Sequence, residues 1–404
     1  MSRVWDVPVD DSTRVRDVRV AAEEAGACAG LPPGRTAAAA LVATELATNL
    51  LRHADGGRVL ISLVERGHDD GRRTAVQLVS LDHGPGIPDV AAAMRDGYTT
   101  TVAASLGAGL GTCRRIANDF DLHSAPGRGT VVMARIGHEP AVRNQGPPPP
   151  GPRAGGVNVP LGRAEYSGDA WGRVSGGDRL TLLLADGLGH GVKAAEASGA
   201  AVKELRGLAE LPPVEILRSL GRALRRTRGA AVSVAQLDMT AGQLSFAGIG
   251  NVGARLRTDG TWKALLSHPG IVGAQAPASV PVQRVPWHAD SLLVLHSDGL
   301  PSRWTPPDDG VLPGCDPAVA AAVVLRDAGS AARPVRDDTC VAVLTAGGVA
   351  RGCVGRAPRP ASGGRTAGRA GRAAGRAGRA AERPHAITAG AAESPPRLTM
   401  PRSV

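Results

Sequence analysis

A run of prolines, Pro147-Pro148-Pro149-Pro150-Gly151-Pro152, sets the strongest limit on how this chain can fold. Proline has no backbone N–H and its ring blocks the helical ladder, so the stretch can neither continue a helix nor lie inside a sheet. With Gln145 and Gly146 it reads as a stiff, extended linker with a flexible exit at Gly155-Gly156. A chain of 404 residues is long for one ordinary domain and suits two plus a tail. The expected organisation is a first domain over 1–138, a linker over 139–156, a second domain over 157–346 and a tail over 347–404.

Charge supports the last division. Residues 351–404 hold eleven Arg against Glu382 and Glu393, a net +9 of the chain's +10, so the rest is nearly neutral. That argues against a nucleic-acid-binding body and confines any such role to the tail. Repeated Gly-Arg-Ala steps from Gly364 to Arg379 make the tail low in complexity, and it is expected to be disordered. Apolar residues make up 43% but aromatics only 2%, so Ala, Val, Leu and Gly must fill the cores. No apolar run is long enough to span a bilayer and residues 1–10 lack a signal pattern, which together predict a cytoplasmic protein without a membrane partner. Cys28, Cys113, Cys315, Cys340 and Cys353 form no CxxC pair and read as scattered reduced thiols.

In the first domain, the spacing predicts a helix from Thr36 to Arg52, apolar at Ala40, Leu41, Ala47, Leu50 and Leu51. Glu45 and Asn49 are four apart and share a face. An amide oxygen can hold Mg²⁺ while a neighbouring carboxylate deprotonates an attacking hydroxyl, although alone the pair is equally a solvated face. A strand over Ala75 to Ser80 then runs into Asp82-His83-Gly84-Pro85-Gly86-Ile87. An Asp there can accept the exocyclic amine of adenine, and Gly84 and Gly86 let backbone approach the base; alone this is also an Asp/Gly turn. Gly107-Ala108-Gly109-Leu110-Gly111 opens a helix from Thr112 to Asn118, with free N–H groups where phosphates would sit. It fits neither the Walker nor the Rossmann pattern.

These boxes, with Gly97-Tyr98-Thr99-Thr100 and Ser124 to Thr130, resemble the GHKL ATP-binding fold over about residues 10–137. The likeness is closest to its serine/threonine kinase branch, which includes anti-sigma factors and RsbT-type switch kinases. The resemblance implies that Glu45 is the catalytic base and Asn49 the Mg²⁺ ligand. It further makes Asp82 the adenine contact with Gly84 and Gly86 beside it, Gly107, Gly109 and Gly111 the phosphate lid, and Thr130 a contact on the adenine side. Histidine kinases share the boxes but need an upstream helix bearing a phosphorylated His, and no His precedes Glu45.

In the second domain acids recur at strand ends: Gly168-Asp169, Leu180 to Ala185 before Asp186-Gly187, Ser291 to Ser297 before Asp298-Gly299, and Asp337-Asp338. One Asp-Gly is a hairpin signal. Four such sites in series suit hard divalent cations, and two ions about 4 Å apart can activate a bridging water against a phosphoryl group. The series resembles the PP2C-like phosphatases of the SpoIIE and RsbX type. That likeness implies metal ligation by Asp169, Asp186, Asp298 and Asp337 with the Gly187 carbonyl, and two Mn²⁺ or Mg²⁺ ions. His190 would line the start of the following helix. The phosphate-gripping Arg of many such enzymes has no counterpart, with Arg163 and Arg173 as substitutes. Trp171 and Trp262 are expected in the core.

The implied fold class is α/β in the α+β sense: a GHKL (Bergerat) ATP-binding sandwich, a PP2C-like α-β-β-α sandwich and a disordered basic tail. The implied function is phosphorylation of Ser or Thr on STAS-domain antagonist or scaffold proteins and removal of those phosphates, in a partner-switching circuit governing an alternative sigma factor. The alternative is an ATP-dependent anti-sigma or activator module, bound to a sigma factor or a separate phosphatase and fused to an active phosphatase. Kinases of this fold often pair, which admits a homodimer.

Overall fold

A computed structural model describes residues 3–66, 73–94, 109–140, 151–301, 304–307, 310–329, 337–347 and 353–354. In chain order, β1 (Val4–Val9), α1 (Thr13–Cys28), α2 (Pro33–His53), β2 (Gly57–Arg66), β3 (Arg73–Leu81), α3 (Val90–Ala93), α4 (Leu110–Ile116), β4 (Asp119–Ala125) and β5 (Gly129–Ile136) make the first half. The second half holds β6 (Arg153–Val159), β7 (Asp169–Gly176), β8 (Arg179–Gly187), α5 (Val192–Leu205), α6 (Pro213–Ala223), β9 (Ala230–Asp238), β10 (Gln243–Ile249), β11 (Gly253–Thr258), β12 (Thr261–Leu265), β13 (Gln283–Pro286), β14 (Leu292–His296), α7 (Pro317–Ala328) and β15 (Thr339–Thr345). A two-residue β16 (Cys353–Val354) follows.

Three sheets form, ordered β1-β2-β3-β5-β4-β16, β13-β10-β9-β8-β7 and β12-β11-β14-β15-β6. Among the described strands, β16 beside β4 is the parallel pair and the named ladders otherwise run antiparallel. The last two sheets stack through Leu182, Leu184, Phe246, Leu293 and Leu344, with α5 and α6 covering the outer face of the second. This is the α-β-β-α sandwich that the resemblance to PP2C-like phosphatases implies.

The central strands β2, β3 and β5 of the first sheet are apolar on both faces. Val59, Ile61, Val76, Leu78 and Val132 face α1 and α2, while Leu60, Val79, Leu81, Val131 and Met133 face the other way. Side chains alternate along a strand, so two apolar faces require two covers. The second cover is α7, whose residues from Pro317 to Arg326 are all buried. A helix apolar all round belongs inside a protein. α7 lies between the first sheet and Val157, Val294, Val341 and Val343 of the third, so both halves share one core. Polar groups stitch the same seam. Arg135 Nη1 and Nη2 donate to the two carboxylate oxygens of Asp316, each at 2.8 Å, and Arg135 Nε donates to Gln77 Oε1 at 2.9 Å. Gln77 Nε2 donates to the Gly156 carbonyl at 3.1 Å.

Three expectations are corrected. The linker does not run to residue 156: Gly155 and Gly156 are not a flexible exit but lie in β6, paired with Val343 and Ala342. A Cβ at Gly156 would come within 2.6 Å of the Val341 carbonyl and 2.9 Å of Trp171, so this glycine serves close packing. Within the segment from 347, Cys353 and Val354 pair with His123 and Ser124 of β4. Cys315 is disulfide-bonded rather than a reduced thiol, while Cys28, Cys113 and Cys340 are free; sequence spacing carries no pairing signal for partners brought together only by the fold. Trp171 and Trp262 pack, partly buried, against the cores, and the more deeply buried tryptophan is Trp304. No helix among the described residues is long and apolar enough to cross a membrane.

Candidate functional site

The first site lies where the C-terminal half of α2 meets the end of β3. Proline at the first turn pre-sets the helical φ, so α2 starts at Pro33, earlier than the apolar spacing predicted. Ala39, Val42, Ala43, Leu46 and Leu50 bury one face, leaving Glu45 and Asn49 half-buried on another. Burial pushes the Glu45 carboxyl above its ordinary range, as a proton acceptor for an alcohol needs. Cys113 on α4 faces it, its thiol pushed up to about 12 by burial and by the Glu45 charge.

Asp82 follows β3 directly and is buried. Its Oδ1 accepts from the Gly84 and Thr130 amides at 2.8 and 3.0 Å. Oδ2 has no hydrogen-bond donor among the described residues, although burial raises this carboxyl's affinity for a proton. A fixed carboxylate with one oxygen to spare suits the amino group of an adenine. The surrounding turn is tight. Gly129, at φ +90, would put a Cβ 2.1 Å from the Asp82 carbonyl, and a Cβ at Gly84 would meet Ala54 at 2.7 Å. Gly86, at φ +77, packs on the Ala125 carbonyl. Ser124, named in the sequence only as the start of the stretch to Thr130, donates to or accepts from Thr130 Oγ1 at 2.9 Å and accepts from the Ile87 amide at 2.7 Å.

Gly107 and residues 97–100 lie outside the described residues. Gly109 precedes α4 and Gly111 is buried in its first turn, so the helix starts two residues before the expected Thr112. The spare Asp82 oxygen and the Glu45–Asn49 pair, one helical turn apart, fit an adenine nucleotide with a divalent ion.

The second site gathers five carboxylates. Asp169 opens β7 and stands opposite Asp186 near the end of β8, so the ladder itself places them side by side, about 5 Å apart at Cα. Asp298 follows β14, and Asp337 and Asp338 precede β15, the strand paired with β14. Antiparallel strands put those loop ends at one edge. Asp169 is pushed well up by burial and by Asp186, Asp338 and Asp298. Asp186 is pushed up to about 7 by burial and by Asp298, Asp337 and Asp338. Asp298 is raised by burial and by Asp337.

The two acids of the pair differ. Asp338 is buried, and its oxygens accept from the Leu161 and Gly168 amides at 2.8 and 2.9 Å, which ties the chain ahead of Asp169 to β15. Asp337 is exposed and, among the described residues, accepts only from the Asp338 amide at 2.8 Å. Asp169 Oδ2 is buried with no hydrogen-bond partner among the described residues. Repelling carboxylates around an orphaned buried oxygen fit divalent cations. Gly187 sits at the same edge, where a Cβ would lie 2.1 Å from the Ala194 carbonyl; only glycine lets α5 pack this closely. Its amide donates to the Gly168 carbonyl at 3.0 Å.

Sequence reasoning missed several supports. Asn251 Nδ2 donates to Asp298 Oδ2 at 2.5 Å, Asn158 Nδ2 to the Asp169 carbonyl at 2.7 Å, and Ser297 hydrogen-bonds the Asp169 carboxylate. Short polar residues flanking acids at strand ends are the signal that could have found them. His190 is exposed in the turn before α5. Arg173 lies four residues along β7 from Asp169, about 13 Å away at Cα. Another cluster, Asp259, His288 and Asp290, has its Asp290 Oδ2 already shared by Arg257 and the Gly260 amide, at 3.3 and 3.2 Å.

Comparison with known proteins agrees with this division. Residues 9–136 match the family described as "Histidine kinase-like ATPase domain", and residues 176–346 match "Stage II sporulation protein E (SpoIIE)". "Serine/threonine-protein kinase RsbT" of Bacillus subtilis (strain 168) is 37% identical over 91 residues, which are 22% of this chain and 64% of RsbT. The chain thus spans less than two thirds of that relative. Among solved structures, a chain from the bacterial stressosome is 25% identical with a TM-score of 0.43, covering 48% of this chain and 98% of that one. RsbX in complex with magnesium is 20% identical with a TM-score of 0.40, covering 48% and 94%. The PP2C phosphatase domain of SpoIIE with a regulatory fragment, from Bacillus subtilis, is 14% identical with a TM-score of 0.41, covering 83% and 97%. The chain joins a histidine kinase-like ATPase domain to a SpoIIE domain.

Proposed function

We propose that this protein is a writer and eraser of one regulatory phosphate. The first domain transfers phosphate from ATP to a Ser or Thr of a STAS-domain antagonist or scaffold protein, and the second removes it. The circuit it serves is a cytoplasmic partner switch that sets the availability of an alternative sigma factor. The observation that carries this reading is the five-carboxylate edge around Asp169, in a chain that also fixes Asp82 and Glu45 in a nucleotide-type site.

In the transfer step Glu45 takes the proton of the attacking hydroxyl and Asp82 reads the adenine amine with Thr130 beside it, while Asn49 would hold the Mg²⁺ that neutralises phosphate charge. Gly107, Gly109 and Gly111 close over the phosphates. For the removal step Asp169, Asp186, Asp298, Asp337 and the Gly187 carbonyl would hold two Mn²⁺ or Mg²⁺ ions. Such ions supply an activated water and neutralise phosphoryl charge. Asp338 holds no ion; it fixes the backbone that aims Asp169.

The test of the first step is label transfer from ATP to a STAS-domain protein encoded nearby. Glu45→Gln is expected to lower transfer by about 100- to 10,000-fold, the range of a lost general base, with ATP affinity changed less than about threefold. ATP binding by wild type without label on any such protein would instead identify a nucleotide-gated binding module.

A further inference from the structure

Three arginines of the second half gather on one surface groove. Arg218 and Arg222 lie one turn apart on α6, and the 3-10 turn that follows, Leu224–Arg226, adds Arg225. All three are exposed and line one groove of about 400 Å³, floored by Leu217, Ile249 and Val280. Glu215 pairs with Arg218. Arg222 reaches only Ser219 Oγ, at 3.4 Å, and Arg225 has no hydrogen bond or ion pair among the described residues.

The stripe leads to the carboxylates. Gly273, on the groove wall, follows Val272, which bridges to Ala230; Ala230 pairs with Gly187 in the ladder. Two strand spacings separate the groove wall from Gly187, about 10 Å. Between them lies Arg228, exposed, with Nη1 3.0 Å from where a Cβ of Gly189 would stand. Gly189 belongs to the turn that carries the chain from Asp186 to α5.

We infer that this groove docks the phosphoprotein substrate through an acidic segment next to its phosphorylated Ser or Thr. Arg222 and Arg225 receive the segment's carboxylates, and its apolar side chains lie on Leu217, Ile249 and Val280. Arg228 stands at the edge of the metal site, where it offers the incoming phosphate a cation. This rests on the reading that the acid cluster hydrolyses a phosphoester. A peptide suits the surface better than a nucleic acid, since a continuous polyanion leaving the groove on this side would run into five carboxylates.

The experiment uses the full chain with Mn²⁺ and three substrates: para-nitrophenyl phosphate and two phosphoserine peptides that differ only in acidic or amide residues beside the phosphoserine. Wild type is expected to favour the acidic peptide in kcat/KM. The R222E/R225E variant should reverse or abolish the preference, at least about tenfold, through KM rather than kcat, and R222K/R225K should restore it. Equal use of both peptides by wild type and by the charge-reversed variant overturns the inference. So does a loss in R222E/R225E that extends equally to para-nitrophenyl phosphate, because the arginines would then be structural. Tighter binding of a short RNA than of the acidic peptide at this stripe overturns it too. Failure of wild type to hydrolyse para-nitrophenyl phosphate would sink the phosphatase reading itself, separately from docking.

Discussion

Asp186→Asn is expected to lower metal-dependent hydrolysis of a phosphoserine peptide by about a thousandfold, roughly 4 kcal/mol in the barrier. The same variant should unfold at a higher temperature than wild type when no divalent ion is present. Both effects come from one cause. Asp186 stands opposite Asp169 and is pushed up to about 7 by burial and by Asp298, Asp337 and Asp338, so its charge is held against repulsion. An amide of the same shape relieves that repulsion and removes a hard-cation ligand. Wild type should therefore gain stability from Mn²⁺ or Mg²⁺, about 2.7 kcal/mol at a hundred times the dissociation constant, and the variant much less. Calorimetry with and without ion, beside peptide hydrolysis, checks both halves. A variant as active as wild type, or equally stabilised by the ion, would take Asp186 out of the metal site.

Arg135→Ala is expected to cost about 3–5 kcal/mol of folding stability, the usual penalty for removing one partner of a buried ion pair. Asp316 is deeply buried in the seam around α7, and burial alone would push its carboxyl up. The charge and paired hydrogen bonds of Arg135 instead hold it below its ordinary value. Without Arg135 that carboxyl keeps the Ala318 amide but loses its paired cation, and Gln77 Oε1 loses its Arg135 donor. A double variant, R135M/D316L, removes both charges and should recover most of the loss. Denaturant unfolding measures it. Because the seam joins the two halves, the single variant should also separate one unfolding transition into two. A loss under 1 kcal/mol, or a double variant no better than the single, would contradict this account of the seam.

What the sequence showed, and what it hid, divides along physical lines. The placement of Glu45 and Asn49 on one helical face follows from a period of 3.6, and α2 has it. Acids at the ends of apolar runs were visible because strands end where the apolar run ends. β8 and β14 do so beside Asp186 and Asp298. The role of α7 was hidden because a proline-rich stretch looks like a divider, and nothing local says that two domains share a core. The signal was present in Val131-Val132-Met133-Ala134, apolar at every position and so covered on both faces, and in the all-apolar turns of α7. The Gly155-Gly156 pair misled for a related reason. Glycine marks flexibility in a linker but also permits Trp171 and a strand to close upon it, and only tertiary packing distinguishes the two. The contrast between Asp337 and Asp338 is likewise tertiary, since the amides that occupy Asp338 come from Leu161 and Gly168, far back in the chain.

The central claim is that one chain both writes and erases the same phosphate. Its most direct test is a time course of label on one STAS-domain protein incubated with ATP and Mg²⁺ or Mn²⁺ and, in turn, wild type, Asp186→Asn and Glu45→Gln. The account predicts label that accumulates and stays with Asp186→Asn, a lower or transient level with wild type, and none with Glu45→Gln. Loss of prelabelled phosphate to Glu45→Gln but not to Asp186→Asn completes the result. Label that accumulates alike with wild type and Asp186→Asn, and that neither chain removes, would contradict it.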